Sequence, residues 1–594
     1  MHKLGTEGKT VSKVYRRMLD LDLFVAAYTE LSTNQGRLTP GTDGETSDGT
    51  SLAKLQTLID ALRNKTFKWT PVRRTYIPKA NGKRRPLGIP SWQDKVVQMV
   101  LKMVLESYYE PTFNDRSHGF RPNRGCHTAL LHVRKFWQGT KWFIEGDIEG
   151  CFDNIPHEKI LELLGRRIKD NQVIRLVKEM LEAGYLEHGI HYDTHSGTPQ
   201  GGIVSPLLSN IVLHELDEYI TQSLMPRFNK GATRRATKAY LNTNARRYHA
   251  EKRGDIAQAK RERKQLRHIP YSDEMDPNFR RLDYVRYADD FILRWIGSKQ
   301  EAEDIKDRIA DYIEESLGLK LNLAKTLVTN AKHDRARFLG YEIGVIYGDK
   351  MVRQKLVTGR ITKRHSVNGQ VQLYVPQEVR DQWVRKYQKN GKVTHRNRFL
   401  SYSDFEIIKA YGSEWLGLVG YYALAANIQS LRLVEWNALQ SCQKTLAGKH
   451  KTTTSKIREQ YQAQVNGKSC LLCEVANPKQ PQQPLRAILG GIPLRMKRNI
   501  DIGIYDKIVW NPKYGRTELT QRLLANQCEV CGSTDRVQVH HIKSIRELKR
   551  RYRNRKDLPS WLQTMSERYR NTLVVCHACH WEIHRGNHDG QKLV

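Results

Sequence analysis

Tyr284-Val285-Arg286-Tyr287-Ala288-Asp289-Asp290-Phe291-Ile292-Leu293 is the stretch on which the fold turns. Two short apolar runs flank a pair of adjacent acids, the pattern of a β-hairpin with carboxylates at its turn. Acids beside apolar strands are costly unless a cation neutralises them, and a divalent metal does so. Asp-Asp turns also occur without metal, so the hairpin gains meaning from a second segment upstream. Trp142-Phe143-Ile144-Glu145-Gly146-Asp147 reads as a buried strand ending in an acid. Asp147, Asp289 and Asp290 then offer three carboxylates from two strand segments. Two Mg²⁺ ions need such a set to activate a 3′-hydroxyl and stabilise a pyrophosphate leaving group during in-line attack.

At 594 residues the chain is too long for one core and suggests roughly three or four domains. A formal net charge of +36 favours a polyanionic partner, nucleic acid being the simplest. The alternative, a merely solvated basic surface, leaves that excess to repel itself. The first 20 residues are polar and basic and do not read as a secretory signal. No stretch approaches the ~18 consecutive apolar residues of a membrane span. Six of nine cysteines fall in C-x-x-C pairs: Cys470/Cys473, Cys528/Cys531 and Cys576/Cys579. In a long basic chain they point to thiolate metal ligands and a reducing compartment. A bacterial cytoplasm or nucleoid is expected, with an organelle as the alternative.

Along the chain, the turn-rich segment from Pro40-Gly41-Thr42-Asp43-Gly44 to Asp48-Gly49 precedes a helix over 52–62. Residues 73–78 and 83–90, joined by Asn81-Gly82, read as a basic hairpin. Apolar spacing predicts a core helix over 92–109 and further helices over 166–180 and 301–317. Residues 319–328 read as a strand region, and 227–281 as an exposed basic helical insertion, nucleic-acid-binding or simply solvated. Residues 403–446 are mostly helical, and 477–484 form a Pro/Gln-rich linker.

The order of motifs resembles that of reverse transcriptases. A basic fingers hairpin (Arg84, Arg85) is followed by His118-Gly119-Phe120-Arg121-Pro122 and by Asp147…Phe152. Thr198-Pro199-Gln200-Gly201-Gly202…Ser205-Pro206-Leu207, Tyr-Ala-Asp-Asp and Phe338-Leu339-Gly340-Tyr341 complete the series. By resemblance, Phe152 is the steric gate that rejects a ribose 2′-hydroxyl, a role its bulk suits; otherwise it is a core aromatic. Arg84, Arg85, Gln200 and Lys325 complete the substrate-binding set. Lys325 supplies a cation near the triphosphate or is a surface lysine. Within reverse transcriptases the wording resembles group II intron-encoded proteins, as in Asp147-Ile148-Glu149-Gly150-Cys151-Phe152-Asp153-Asn154-Ile155. Residues 405–451 are similar to the maturase thumb, which binds intron RNA and assists splicing. The family's Arg-Gly-x-x-Asn-Tyr-Tyr reads Leu416-Gly417-Leu418-Val419-Gly420-Tyr421-Tyr422 here. Tyr421 and Tyr422 either stack on RNA or pack in a core.

The tail holds a second centre. Cys528, Cys531, Cys576 and Cys579 can close one tetrahedral Zn²⁺ site and staple a small domain, whereas Cys470/Cys473 lack a second pair. His580 and His584, at i and i+4, can share one metal. With His540-His541 and Asn571 they resemble the HNH (ββα-metal) nucleases. That resemblance implies His541 as general base, His540, His580 and His584 as ligands of Mg²⁺ or another divalent ion, and Asn571 as orienting the base. The alternative makes these histidines further structural zinc ligands. The basic run 549–556 is expected to grip phosphates.

The expected architecture is multidomain α+β. Residues 1–345 are the right-hand fingers and palm, 346–455 the helical maturase thumb, 456–527 a linker and DNA-binding region with Arg495, Lys497 and Arg498, and 528–594 a zinc-stapled HNH domain. The expected function is to bind intron RNA, assist splicing, nick target DNA and copy the RNA from dNTPs by target-primed reverse transcription. The competing expectation is an RNA-binding splicing factor without polymerase or nuclease activity.

Overall fold

Strand alternation places each face of the four-stranded sheet that carries Asp147 and Asp290 in a different core. The sheet is antiparallel, in the order Arg281–Tyr287, Asp290–Ile296, Trp142–Asp147, Val328–Asn330. Leu282, Tyr284, Leu293, Trp295 and Ile144 join a core with Phe24, Tyr28, Val97 and Leu101 from the N-terminal helices. Val285, Ile292 and Phe143 point the other way, into a core with Tyr411, Trp415 and Leu446. Period-2 alternation with both faces apolar explains why these strands read as continuous hydrophobic runs. The computed structural model describes residues 1–78, 82, 84–194, 196–198, 201–273, 276–346, 351–355, 359, 361–365, 369–476, 482–499, 518–542, 561, 562, 565 and 571–585.

Val72–Pro78 pairs antiparallel with Arg84–Ile89, as the hairpin reading requires, and runs parallel to Tyr185–Glu187 on its other edge. Most of the turn between the hairpin strands lies outside the described residues. The expected core helix is Trp92–Tyr109, capped by the Ser91 hydroxyl accepting from the Asp94 N–H. Two expectations are corrected. The helix read over 166–180 is two helices, His157–Arg167 and Asn171–Glu182, because Asp170 caps the second through the Gln172 N–H and starts a new axis. The strand region read over 319–328 narrows to Val328–Asn330. Asn322 O accepts from both Lys325 and Thr326 N–H, which turns the chain and leaves Leu323 exposed.

The basic insertion folds as two helices, Lys238–Lys252 and Ile256–Leu266, with few buried residues. Ion pairs Arg247–Glu251, Arg263–Glu251 and Arg246–Glu262 lace them. Beyond the palm, Asp404–Tyr421 begins with a Ser403/Glu406 capping box and packs on Arg432–His450. Tyr421 and Tyr422 donate to Leu339 O and Gly340 O at 2.8 and 3.0 Å, so they pack between thumb and palm. A sheet of Gln462–Val465, Lys468–Val475 and Leu485–Gly490 continues this core. Gly412 is required here, since a Cβ would meet Ile488 O at 2.0 Å. Cys470 and Cys473, three apart on one strand, project to opposite faces and do not share an ion. No described helix is long and apolar enough to cross a membrane.

Gln538–His541 pairs antiparallel with Thr572–Val575, and His577–Arg585 follows, giving a ββα unit. This unit docks on the N-terminal helices. Val537, Val539 and Val574 enter the same core as Tyr28, and Thr50 bridges Val539.

Arg286 anchors the hairpin. It is fully buried and forms a two-pronged ion pair with Asp217 at 2.7 and 2.6 Å. It also donates to Asn210 Oδ1, Ser117 Oγ and Ala288 O. Removing one partner of a buried pair strands the other's charge. Arg286→Ala is expected to lower stability by about 3–5 kcal/mol in urea unfolding; a loss under about 1 kcal/mol would show that the pair anchors nothing.

Candidate functional site

The first centre forms where three chain segments meet at one sheet end. Tyr287 pairs with Asp290, so Ala288 and Asp289 make a two-residue turn, with Ala288 in the left-handed region at φ 57°. Asp290 also pairs across to Asp147, which brings the third acid alongside. His118 N–H donates to Arg286 O, running the His118-Gly119-Phe120 segment along the hairpin edge. Gly119 permits this approach, because a Cβ there would meet the Ala288 nitrogen at 2.3 Å.

Burial pushes the Asp289 carboxyl up, and Asp147 adds to the shift. Burial together with Asp289 and Asp147 pushes Asp290 up to about 7. Three crowded carboxylates with hard oxygen donors suit divalent cations such as Mg²⁺. Two basic groups face them. Lys325 Nζ lies 2.7 Å from Asp147 Oδ2, and Arg85 acts on Asp289 electrostatically from the fingers hairpin. Arg84 is exposed on the same strand. The structure thus gathers Asp147, Asp289, Asp290, Lys325 and Arg85.

Phe152 lies on the short helix Cys151–Asn154 beside the acids, its ring edge-on to Phe120 at 6.1 Å. Phe152 O accepts the Thr198 N–H at 2.6 Å. Gly201, at φ 110°, lies against Gly88, where a Cβ would meet the carbonyl oxygen at 2.5 Å. A cavity of about 160 Å³ opens between this loop and the fingers, lined by Arg74, Gly88, Asp153 and Thr198. Gln200 lies outside the described residues.

In the second centre the four cysteines of the two C-x-x-C pairs converge, with one Sγ from each within 4.8 Å of the others. Cys531 and Cys576 Sγ are 3.7 Å apart. Tetrahedral zinc with Zn–S of about 2.3 Å spaces its sulfurs by about 3.8 Å, so the thiols are compatible with Zn²⁺. On the neighbouring face His540, His580 and His584 cluster, with ring centroids 4.7–5.0 Å apart. His540 Nδ1 is buried without a hydrogen bond, and His580 and His584 Nε2 face each other at 3.1 Å. Such converging nitrogens suit a divalent ion.

His541 points the other way, its Nε2 2.8 Å from the Tyr28 hydroxyl. Burial pushes His541 down to about 4 and His540 down to about 3, so both rings are neutral near pH 7. Asn571 reaches this strand through its backbone, its carbonyl accepting the Ile542 N–H at 3.0 Å. Among the described residues it is Tyr28, rather than the Asn571 side chain, that bonds the His541 ring. Residues 549–556 lie outside the described residues.

Sequence reasoning missed three groups. Tyr28 and Asp48 reach the histidine cluster from the N-terminal part of the chain, and Asp217 holds Arg286 under the hairpin. None carries a local signal, because each partner is separated in sequence by tens to hundreds of residues.

Comparison with known proteins gives three consecutive domain matches. Residues 77–343 match reverse transcriptase (RNA-dependent DNA polymerase), 372–469 match type II intron maturase, and 528–580 match the AI2M/AI1M-like HNH endonuclease. The chain is 36% identical to the group II intron-encoded protein LtrA of Lactococcus lactis subsp. cremoris, over 96% of this chain and 95% of that one. It is 34% identical to an uncharacterized 91 kDa protein in the cob intron of Schizosaccharomyces pombe, covering 96% and 69%. It is 29% identical to a putative COX1/OXI3 intron 2 protein of Saccharomyces cerevisiae, covering 98% and 67%. With its polymerase acids, maturase thumb and HNH unit on one polypeptide, the chain belongs to the group II intron-encoded proteins, as a reverse transcriptase, maturase and HNH endonuclease.

Proposed function

We propose that the two centres act in sequence on one target, with the intron RNA bound to the maturase thumb: the HNH unit nicks target DNA and the polymerase extends the freed 3′-hydroxyl along the RNA. The observation that carries this reading is the convergence of Asp147, Asp289 and Asp290 at one sheet end on a chain that also gathers His540, His580 and His584. The order of the three matched domains supports dividing the chain as 1–345 (fingers and palm), 346–455 (thumb), 456–527 (linker and DNA binding) and 528–594 (endonuclease). Its +36 charge suits RNA and DNA partners together.

At the polymerase, Asp147, Asp289 and Asp290 would hold two Mg²⁺ ions, whose chemistry is to neutralise the triphosphate and activate the 3′-hydroxyl. Lys325 and Arg85 add positive charge on the two sides of the acids, where the phosphates of a dNTP enter. Phe152, braced by Phe120 and by the Thr198 N–H, presents bulk where a 2′-hydroxyl would sit. Gln200, by its motif, completes the substrate-binding set.

At the nuclease, His540, His580 and His584 would hold a divalent ion, whose chemistry is to stabilise charge on the departing 3′-oxygen. His541 takes the proton of the attacking water. The tautomer whose Nε2–H donates to the Tyr28 oxygen leaves Nδ1 as the basic atom. Asn571 orients this strand pair through its carbonyl. The four cysteines would hold Zn²⁺, a structural role that closes the small domain.

Two experiments follow. Purified protein with its intron RNA is assayed for primer extension on an RNA template and for nicking of target DNA. Asp289→Ala is expected to abolish extension and retain nicking. His541→Ala is expected to retain extension and slow nicking by about 10²–10⁴-fold. Loss of both activities in either variant would sink the two-centre reading. An inactive wild type on both assays would instead favour a splicing factor without polymerase or nuclease activity. Separately, Cys576→Ser is expected to release zinc, expose the region after residue 518 to limited proteolysis and abolish nicking while extension persists. A zinc content and cleavage pattern like wild type would refute the staple.

A further inference from the structure

Asp48 belongs to the turn-rich segment after Pro40, far from the nuclease domain in sequence, yet its carboxylate sits among the nuclease histidines. Oδ2 lies 2.7 Å from His584 Nε2 and 3.2 Å from His580 Nε2, and Oδ1 lies 3.5 Å from His540 Nδ1. One donor atom from each of the four lies within 4.8 Å of the others, as around a single small cation. Hydrogen bonding alone does not account for the cluster, since His540 Nδ1 is buried with no hydrogen bond.

The carboxylate is held there by backbone on both sides. Asp48 Oδ1 accepts the His541 N–H at 2.6 Å. Gly49 N–H donates to Val539 O, and Val539 N–H donates to Thr50 O, both at 2.9 Å. Gly49 makes the turn in the left-handed region at φ 73°. Thr50 Oγ1 in turn accepts from Trp92 Nε1 at 3.0 Å. Arg37 Nη2 donates to Ile542 O at 3.2 Å, a further tie between the same two regions.

We propose that Asp48 is the fourth protein ligand of the nuclease ion, supplied to the HNH domain by the polymerase half of the chain. This rests on the assignment of His540, His580 and His584 as ligands. Four protein donors fill a tetrahedral shell, the arrangement of closed sites, whereas catalytic sites keep one position for water or substrate. A carboxylate matches a phosphodiester in charge and in its hard oxygen donor. Asp48 and the DNA phosphate therefore compete for one position, and the docked N-terminal segment keeps the nuclease shut until DNA displaces the carboxylate.

The test uses full-length protein carrying zinc at its cysteines and titrated with Co²⁺, read by its visible ligand-field absorption. Wild type is expected to bind Co²⁺, and His584→Ala and Asp48→Asn to bind it at least about tenfold more weakly. Asp48→Cys is expected to bind Co²⁺ with a new near-ultraviolet thiolate-to-cobalt charge-transfer band, which a merely structural Asp48 would not produce. Asp48→Asn, assembled with intron RNA and given saturating metal, is expected to nick target DNA several-fold faster than wild type. If wild type does not bind Co²⁺, or His584→Ala binds like wild type, the histidine assignment fails and this inference falls with it. If His584→Ala weakens binding but Asp48→Cys binds Co²⁺ without the new band, the histidines stand and Asp48 is not a ligand. A nicking rate for Asp48→Asn equal to or below wild type overturns the closing role.

Discussion

A guanidinium at zero exposure is the constraint on which the polymerase centre depends. Burial works against the charge of Arg286, and Asp217, itself fully buried, more than restores it. The pair is expensive to desolvate, so its geometry must be satisfied at every donor. Arg286 reaches Asp217, Asn210, Ser117 and Ala288 O at once. Those contacts join the Ser205–Glu218 helix, the His118-Gly119 segment and the turn that carries Asp289. Asn210 also donates to Gly119 O at 2.8 Å, closing the ring of contacts. The acids stand at the sheet end on a turn that the buried Arg286 ties to the chain beneath them.

Each face of that sheet belongs to a different half of the molecule. One packs on the N-terminal helices and the other on the thumb. Tyr421 and Tyr422 tie the thumb to the Leu339-Gly340 turn. Thumb position and acid position are therefore mechanically linked through a strand set that is buried on both sides. The residues matched by the type II intron maturase model therefore pack on the same sheet that carries the polymerase acids.

Much of this was legible in the sequence where the signal was local. The hairpin, the buried strand ending in Asp147 and the core helix from Trp92 follow from short-range periodicity and turn residues, while the ββα unit followed from the resemblance that the tail's His and Asn residues carry. The break at Asp170 and the turn at Asn322 were misread, because a single cap or turn interrupts an otherwise apolar run. The roles of Asp217, Tyr28 and Asp48 were not legible. Each acts on a partner 69 to 536 residues away, and an isolated Asp or Tyr carries no periodic signal that names its partner. Tyr421 and Tyr422 show the reverse case, where the residue type allowed either RNA stacking or core packing and only the folded chain shows their hydroxyls bonded to Leu339 O and Gly340 O.

One helix connects the two centres. Trp92, in the first turn of Trp92–Tyr109, donates to Thr50, two residues from Asp48. Gln98 Oε1 accepts the Ile203 N–H at 2.7 Å, holding the chain just ahead of the Ser205–Glu218 helix. These contacts are six residues apart, about 9 Å along a rigid helix. Lys95, between them, donates to Thr39 O at the start of the segment that carries Asp48. The Asp48 segment and the chain at Ile203 are thus held by one stiff element rather than by a flexible tether. The nuclease and the polymerase are separate in chemistry, but the N-terminal helices that position the polymerase loop also position the carboxylate at the nuclease.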